Sequence, residues 1–197
     1  MPRKPRPLVD GGYYHLIARG NNRLFLFEIP EGFQTFKGLL KKSKEKHPWK
    51  LSHYCLMANH IHLLGQIEKG PELPKLMQLL LFEYSRWYRK KTGYVGHLWQ
   101  GRYKSLWIIE ESYFLECGRY IERNPLRAEI VQRTEDYPWS SYRHYALGEK
   151  DPLIDDDPYY AQLGPDPTTR QQRYQEFVRT AGPYDRLVDQ TLIETHF

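Results

Sequence analysis

The chain has 197 residues, with 29 Lys or Arg against 24 Asp or Glu, for a net charge of +5. That length suits one compact domain with an appendage. No apolar run reaches membrane-span length, and the basic, proline-containing segment Met1–Asp10 lacks the apolar stretch of a signal peptide. The basic balance makes nucleic acid the default partner, and 16 Tyr and 5 Trp offer flat faces on which unpaired bases stack. The same rings could equally build the core and its rim. Cys55 and Cys117 form no CxxC pair and no zinc spacing, which fits a reducing cytoplasm.

After the basic arm, Tyr13–Arg19 reads as a strand that Gly20-Asn21-Asn22-Arg23 breaks. Gly32–Lys46 has apolar residues near helical spacing and ends in a basic run. Trp49–Met57 and His60–Ile67 read as a hairpin about an Ala58-Asn59 turn. Pro71–Lys91 is the longest expected helix, with Leu73, Leu76, Met77, Leu80, Tyr84, Trp87 and Tyr88 on one face. A glycine-punctuated loop, Thr92–Gly101, leads to a fourth strand, Tyr103–Ile109. Glu110–Arg123 reads as a helix with Glu110 and Glu111 in its first turn. Asn124-Pro125 is expected to interrupt it, with Pro125 opening a new helix to about Arg133.

The order β-α-β-β-α-β predicts an α+β, ferredoxin-like fold: an antiparallel sheet with helices on one face. Residues 1–147 would form this domain with its arm, and 148–197 a C-terminal helical extension, packed on it or loosely tethered. The extension opens with the acidic Asp151–Pro158 and carries one expected helix, Thr168–Thr180.

Within Asn59-His60-Ile61-His62, strand alternation points both histidines to one face with Cα atoms about 6.5–7 Å apart. Two imidazoles so placed can converge on a divalent cation, or can be a hydrogen-bonded core pair. Tyr120 and Asn124 lie four residues apart on one helix face. A tyrosine hydroxyl can attack a phosphodiester and carry it covalently, with a cation polarising the phosphate. The Asn124 oxygen could be a third ligand beside His60 and His62, or could cap the helix that Pro125 begins. Tyr120 has its own plain reading as a packing residue. A loop holding Trp99, Arg102, Tyr103 and Lys104 can grip a sugar–phosphate backbone, or cover the core edge. His15, Arg19, Asn21, Asn22 and Arg23 offer further nucleic-acid contacts, although Gly-Asn-Asn also makes a plain turn.

The ARGNNR, NHIHLL, GHLWQGRYKS and RYIERNPLRA segments, in this order over roughly residues 13–145, resemble the REP-associated tyrosine transposases. These belong to the single-tyrosine HUH transposases, the IS200-like group, whose His-hydrophobe-His signature His60-Ile61-His62 meets. The resemblance implies a metal-dependent, single-stranded DNA endonuclease and strand transferase acting near REP-type hairpins. Tyr120 would form a 5′-phosphotyrosine link; His60, His62 and Asn124 would hold Mg²⁺ or Mn²⁺. It places the protein with the nucleoid in the cytoplasm, as monomer or dimer. Two other classes stay open: a hairpin DNA- or RNA-binding regulator that does not cut, and a metallohydrolase that uses water.

Overall fold

The structure, a computed structural model, describes residues 7–110 and 112–194, without the side chains of residues 112, 183 and 191–194. Most of the basic arm, and Glu111 of the expected helix start, lie outside the described residues. Strand β1 (Gly12–Arg19) is followed by α1 (Pro30–Lys46), β2 (Trp49–Met57), β3 (His60–Ile67), α2 (Glu72–Thr92) and β4 (Lys104–Ile108). The sheet is antiparallel in the order β2-β3-β1-β4, the ferredoxin-like arrangement that the order of elements predicts.

Strand alternation divides the sheet into two faces. Leu16, Ala18, Leu56, Ile61 and Leu63 pack under α1 and α2, with Phe36, Leu76, Leu80 and Tyr84. Each fully buried side chain of this size contributes about 1.5–3 kcal/mol relative to exposure. Ile17, Cys55 and Leu64 face the other way and pack against α3 (Ser112–Arg127), which supplies Phe114, Cys117 and Ile121. Helices α4 (Tyr142–Leu147), α5 (Pro167–Arg179) and α6 (Pro183–Glu194) follow. Tyr184 and Val188 of α6 join the α3 core, while Tyr142, Tyr145, Tyr174 and Val178 form a smaller cluster.

Strand β2 departs from simple alternation. Its register slips between Leu51 and His53, a bulge at Ser52 that reverses the facing of the residues beyond it. Leu51 therefore stays on the α1–α2 side, whereas His53 turns toward α3. Gly65 lies opposite the bulge, where a Cβ would come within 2.0 Å of the Lys50 carbonyl oxygen. The β2–β3 turn is held by neighbours: the Ala58 carbonyl accepts from Leu26 and Phe27, and that of Asn59 from Gly20.

The expected helix break at Asn124-Pro125 is absent, as is a new helix to Arg133: α3 runs through Pro125 to Arg127. Pro125 cannot donate to the Ile121 carbonyl, but the Asn124 side-chain amide does so at 3.3 Å, and to the Tyr120 carbonyl at 2.9 Å. Asn124 thus repairs the helix it was expected to end, and caps no second one.

The acidic stretch after α4 lies against the sheet. Asp151 accepts from the Tyr54 hydroxyl at 2.6 Å and from Lys37 at 3.0 Å, and Asp155 accepts from the Leu51 backbone at 2.9 Å. Among the described residues, no helix is long and apolar enough to cross a membrane.

Candidate active site

β3 delivers His60 and His62 to the α3 face, with ring centroids 4.9 Å apart. Each has its Nδ1 engaged. His60 Nδ1 donates to the Asn59 side-chain oxygen at 2.7 Å. His62 Nδ1 lies 2.8 Å from Nε2 of His15, whose Nδ1 is 3.3 Å from the Tyr184 hydroxyl. One set of protons keeps Nε2 of His62 open: His62 donates through Nδ1 to His15, and His15 donates through Nδ1 to Tyr184. In this set both strand histidines present an unprotonated Nε2, the form in which imidazole binds a metal while its other nitrogen is held by a neighbour.

Burial keeps all three rings neutral. It lowers His15 to about 3 and, with the Arg19 charge adding, His60 to about 4. His62 is pushed well below its ordinary value by burial, then by His60, His15 and Arg127. Neutral imidazoles leave a bound cation its full charge for an anionic substrate. The Asn124 oxygen is the lone-pair donor that its side chain has left, because the amide nitrogen is committed to α3. No three His, Cys, Asp or Glu side chains converge as a ligand set among the described residues. The donor atoms left uncommitted here are Nε2 of the two strand imidazoles and, on α3, the Asn124 oxygen.

α3 brings Tyr120 onto these histidines. Its ring lies 5.8 Å from His62 and 5.9 Å from His15, centroid to centroid. It is 2% exposed, because α6 covers it. Tyr184 packs 6.0 Å away, and Asp189 accepts from the Tyr120 hydroxyl at 3.4 Å. Asp189 also pairs with Arg127 at 2.7 Å, and the Arg127 guanidinium lies 5.0 Å from the Tyr120 ring. Burial raises the phenol well above its ordinary value and Asp189 raises it further, against a smaller opposing effect of Arg127. The hydroxyl is protonated at neutral pH.

The two expected nucleic-acid segments meet at the end of the sheet beside His60. Arg19 stands opposite His60 in the β1–β3 ladder. Asn21 donates to the Leu98 carbonyl and Gln100 to that of Arg19, both at 2.8 Å. Asn22, Arg23 and Arg102 are exposed on this rim; Arg19, Asn21 and Lys104 are half-buried. Asn22 and Arg23 adopt left-handed backbone at φ 49° and 60°, which fixes how they project. Three expected contacts are turned into the protein. His15 is fully buried with both nitrogens engaged, so it belongs to the histidine cluster and is closed to DNA. Tyr103 is buried. Trp99 is tied by its indole N–H to the Leu81 carbonyl and the Ser85 hydroxyl, both at 3.0 Å, and packs against the core.

Some of the site has no local signature. Tyr184 and Asp189 reach Tyr120 only through tertiary packing, whereas Arg127 lies seven residues on along α3, on the same face. His53 and Asp157 likewise meet Glu122 of α3 only through tertiary packing, as a buried cluster.

Residues 8–124 match the family described as Transposase IS200 like. A Haemophilus influenzae protein named "Putative REP-associated tyrosine transposase" is 22% identical over 167 residues, covering 76% of this chain and 90% of its own length. A solved REP-associated tyrosine transposase bound to a REP hairpin superposes with a TM-score of 0.64 at 17% identity, over 79% of this chain and 91% of that one. The likeness to that structure lies in the fold.

Proposed function

The chain belongs to the IS200-like transposase family, and we propose that it cuts and rejoins single-stranded DNA beside REP-type hairpins, using Tyr120 as nucleophile. The observation that carries this reading is the Tyr120 ring 5.8 Å from His62, on a helix packed over the only His-x-His strand in the sequence. The Tyr120 oxygen attacks phosphorus, a P–O(Tyr) bond forms, and the P–O3′ bond breaks. The phenol loses its proton, and the leaving 3′-oxygen departs as a hydroxyl. The 5′-phosphotyrosine keeps the energy of the phosphodiester, so a second 3′-hydroxyl can reverse the step and join strands.

A divalent cation, Mg²⁺ or Mn²⁺, would be held by Nε2 of His60 and of His62 and the Asn124 oxygen, and would polarise the scissile phosphate. His15 orients His62, and Asn59 orients His60. Asn22, Arg23 and Arg102 would line the approach of the DNA backbone on the rim beside His60. The named Haemophilus relative and the hairpin-bound structure support the choice of a REP-type hairpin as partner.

One observation favours a second reading, a hairpin-binding regulator that does not cut: Tyr120 is 2% exposed beneath α6. Incubation with single-stranded hairpin DNA and Mn²⁺ or Mg²⁺ separates the two. A protein–DNA adduct that survives denaturation and disappears on chelation supports the strand transferase. Tight hairpin binding without an adduct under either metal overturns it in favour of the regulator.

A further inference from the structure

The mechanism leaves one buried charged cluster unused. His53 is fully buried, and both ring nitrogens face carboxylates: Nδ1 lies 2.9 Å from Glu122 and Nε2 2.8 Å from Asp157. Glu122 is itself fully buried and also accepts from the Ser141 hydroxyl at 2.5 Å and the Tyr174 hydroxyl at 2.8 Å. Asp157 accepts from the Tyr159 backbone at 2.6 Å, and the His53 ring stacks on Tyr145 at 4.6 Å. Two carboxylates thus share one doubly donating imidazole, with the remaining oxygen positions satisfied.

The chain makes room for this ring in two independent ways. The Ser52 bulge turns His53 from the α1–α2 side toward α3, and the Tyr145 hydroxyl donates to the Ser52 carbonyl at 2.9 Å. On α3, one turn before Glu122, residue 118 is glycine, where a Cβ would lie 2.7 Å from His53 Cε1 and Nε2. His53 therefore sits in a notch of α3 bounded by Gly118 and Glu122.

That notch straddles Tyr120. α3 otherwise meets the sheet through Phe114, Cys117 and Ile121. Such apolar contacts are non-directional and tolerate sliding or rotation of a helix. Charge-assisted hydrogen bonds fix an angle, and a reacting group must be held within about 0.5 Å and 10–20° of its working geometry. A buried ion pair is also a poor source of net stability compared with apolar side chains of its size. We propose that His53 is a positioning residue: through Glu122 it sets the rotation of α3 on the sheet, and so the angle at which Tyr120 faces His60 and His62. The proposal takes from the proposed function that Tyr120 is the reacting group.

The test uses the full chain with 3-fluorotyrosine at position 120 alone. In His53→Gln, the ¹⁹F resonance of Tyr120 should shift or broaden while circular dichroism keeps the helix and strand content. Covalent adduct formation with a single-stranded hairpin in Mn²⁺ should slow at least tenfold at saturating DNA, with the hairpin Kd within twofold. Gly118→Ala, which intrudes on the ring and leaves both carboxylates in place, should give the same pair of changes and decides the matter if His53→Gln does not fold. A resonance at its original position in a folded variant overturns the proposal. So does an adduct rate equal to that of the unaltered chain, or a loss confined to Kd. If the unaltered chain forms no adduct, the strand-transferase reading falls, and the fluorine resonance alone decides whether His53 positions Tyr120.

Discussion

The carboxylate of Asp189 accepts the hydroxyl of Tyr120 at 3.4 Å while it pairs with Arg127 at 2.7 Å, so one acid on α6 holds both the proposed nucleophile and its neighbouring cation. Its negative charge adds to burial in raising the phenol. Asp189→Asn removes that repulsion and frees Arg127 to favour the phenolate. Adduct formation at pH 7–8 should rise several-fold, and the pH at which its rate reaches half-maximum should fall. A rate that falls or stays level would show that the carboxylate does not restrain Tyr120.

The histidine pair is expected to carry the cation. His60→Ala and His62→Ala should each weaken Mn²⁺ binding at least tenfold by titration calorimetry, with the thermal midpoint in metal-free buffer little changed for the half-buried His60. Mn²⁺ affinity equal to that of the unaltered chain in both variants would place the cation elsewhere.

Stability should depend on pH through His53. Burial lowers this imidazole, but the hydrogen bonds and charges of Asp157 and Glu122 outweigh it and raise the group to about 9, against 6.5 for a free histidine. A group raised on folding stabilises fully below its unfolded value and loses that contribution as pH passes the folded value. The unfolding free energy from urea melts should therefore decline between pH 6.5 and 9, by on the order of 3 kcal/mol in total. His53→Gln should flatten that decline. An equal slope in both proteins would rule out His53 as its source.

On the rim beside His60, the exposed Arg23 and Arg102 should behave as phosphate contacts if the proposed function holds. Arg23→Ala and Arg102→Ala should weaken hairpin binding across sequences and lower the salt slope by about 1 each. Trp99→Ala should act mainly on the fold, since its indole bonds Leu81 and Ser85. Thermal melts beside salt-dependent binding isotherms separate these outcomes.

Periodicity carries the fold. The hairpin strands Trp49–Met57 and His60–Ile67 have the expected bounds, and the α2 stripe from Leu73 to Tyr88 packs as its spacing predicts. Pro125 misleads because its local cost is real, but only one carbonyl needs a new donor, and the side chain of Asn124 supplies it. Strand spacing puts His60 and His62 on one face and helix spacing puts Tyr120 and Asn124 on one face; that Tyr120 meets the histidines follows only from how α3 packs on the sheet. His15 reads as a DNA contact because its neighbours in the chain do not show that Tyr120 of α3 and Tyr184 of α6 close over it. His53 is hidden by the Ser52 bulge, since simple alternation sends it to the wrong face.

Tyr120 should become covalently joined to DNA when a single-stranded hairpin substrate, labelled on the segment 3′ to the cut, is incubated with Mn²⁺ and run under denaturing conditions. The label should migrate with the unaltered protein and not with Tyr120→Phe, while both proteins bind the hairpin with Kd values within twofold. A label that migrates with Tyr120→Phe as strongly as with the unaltered chain would show that Tyr120 does not form the link.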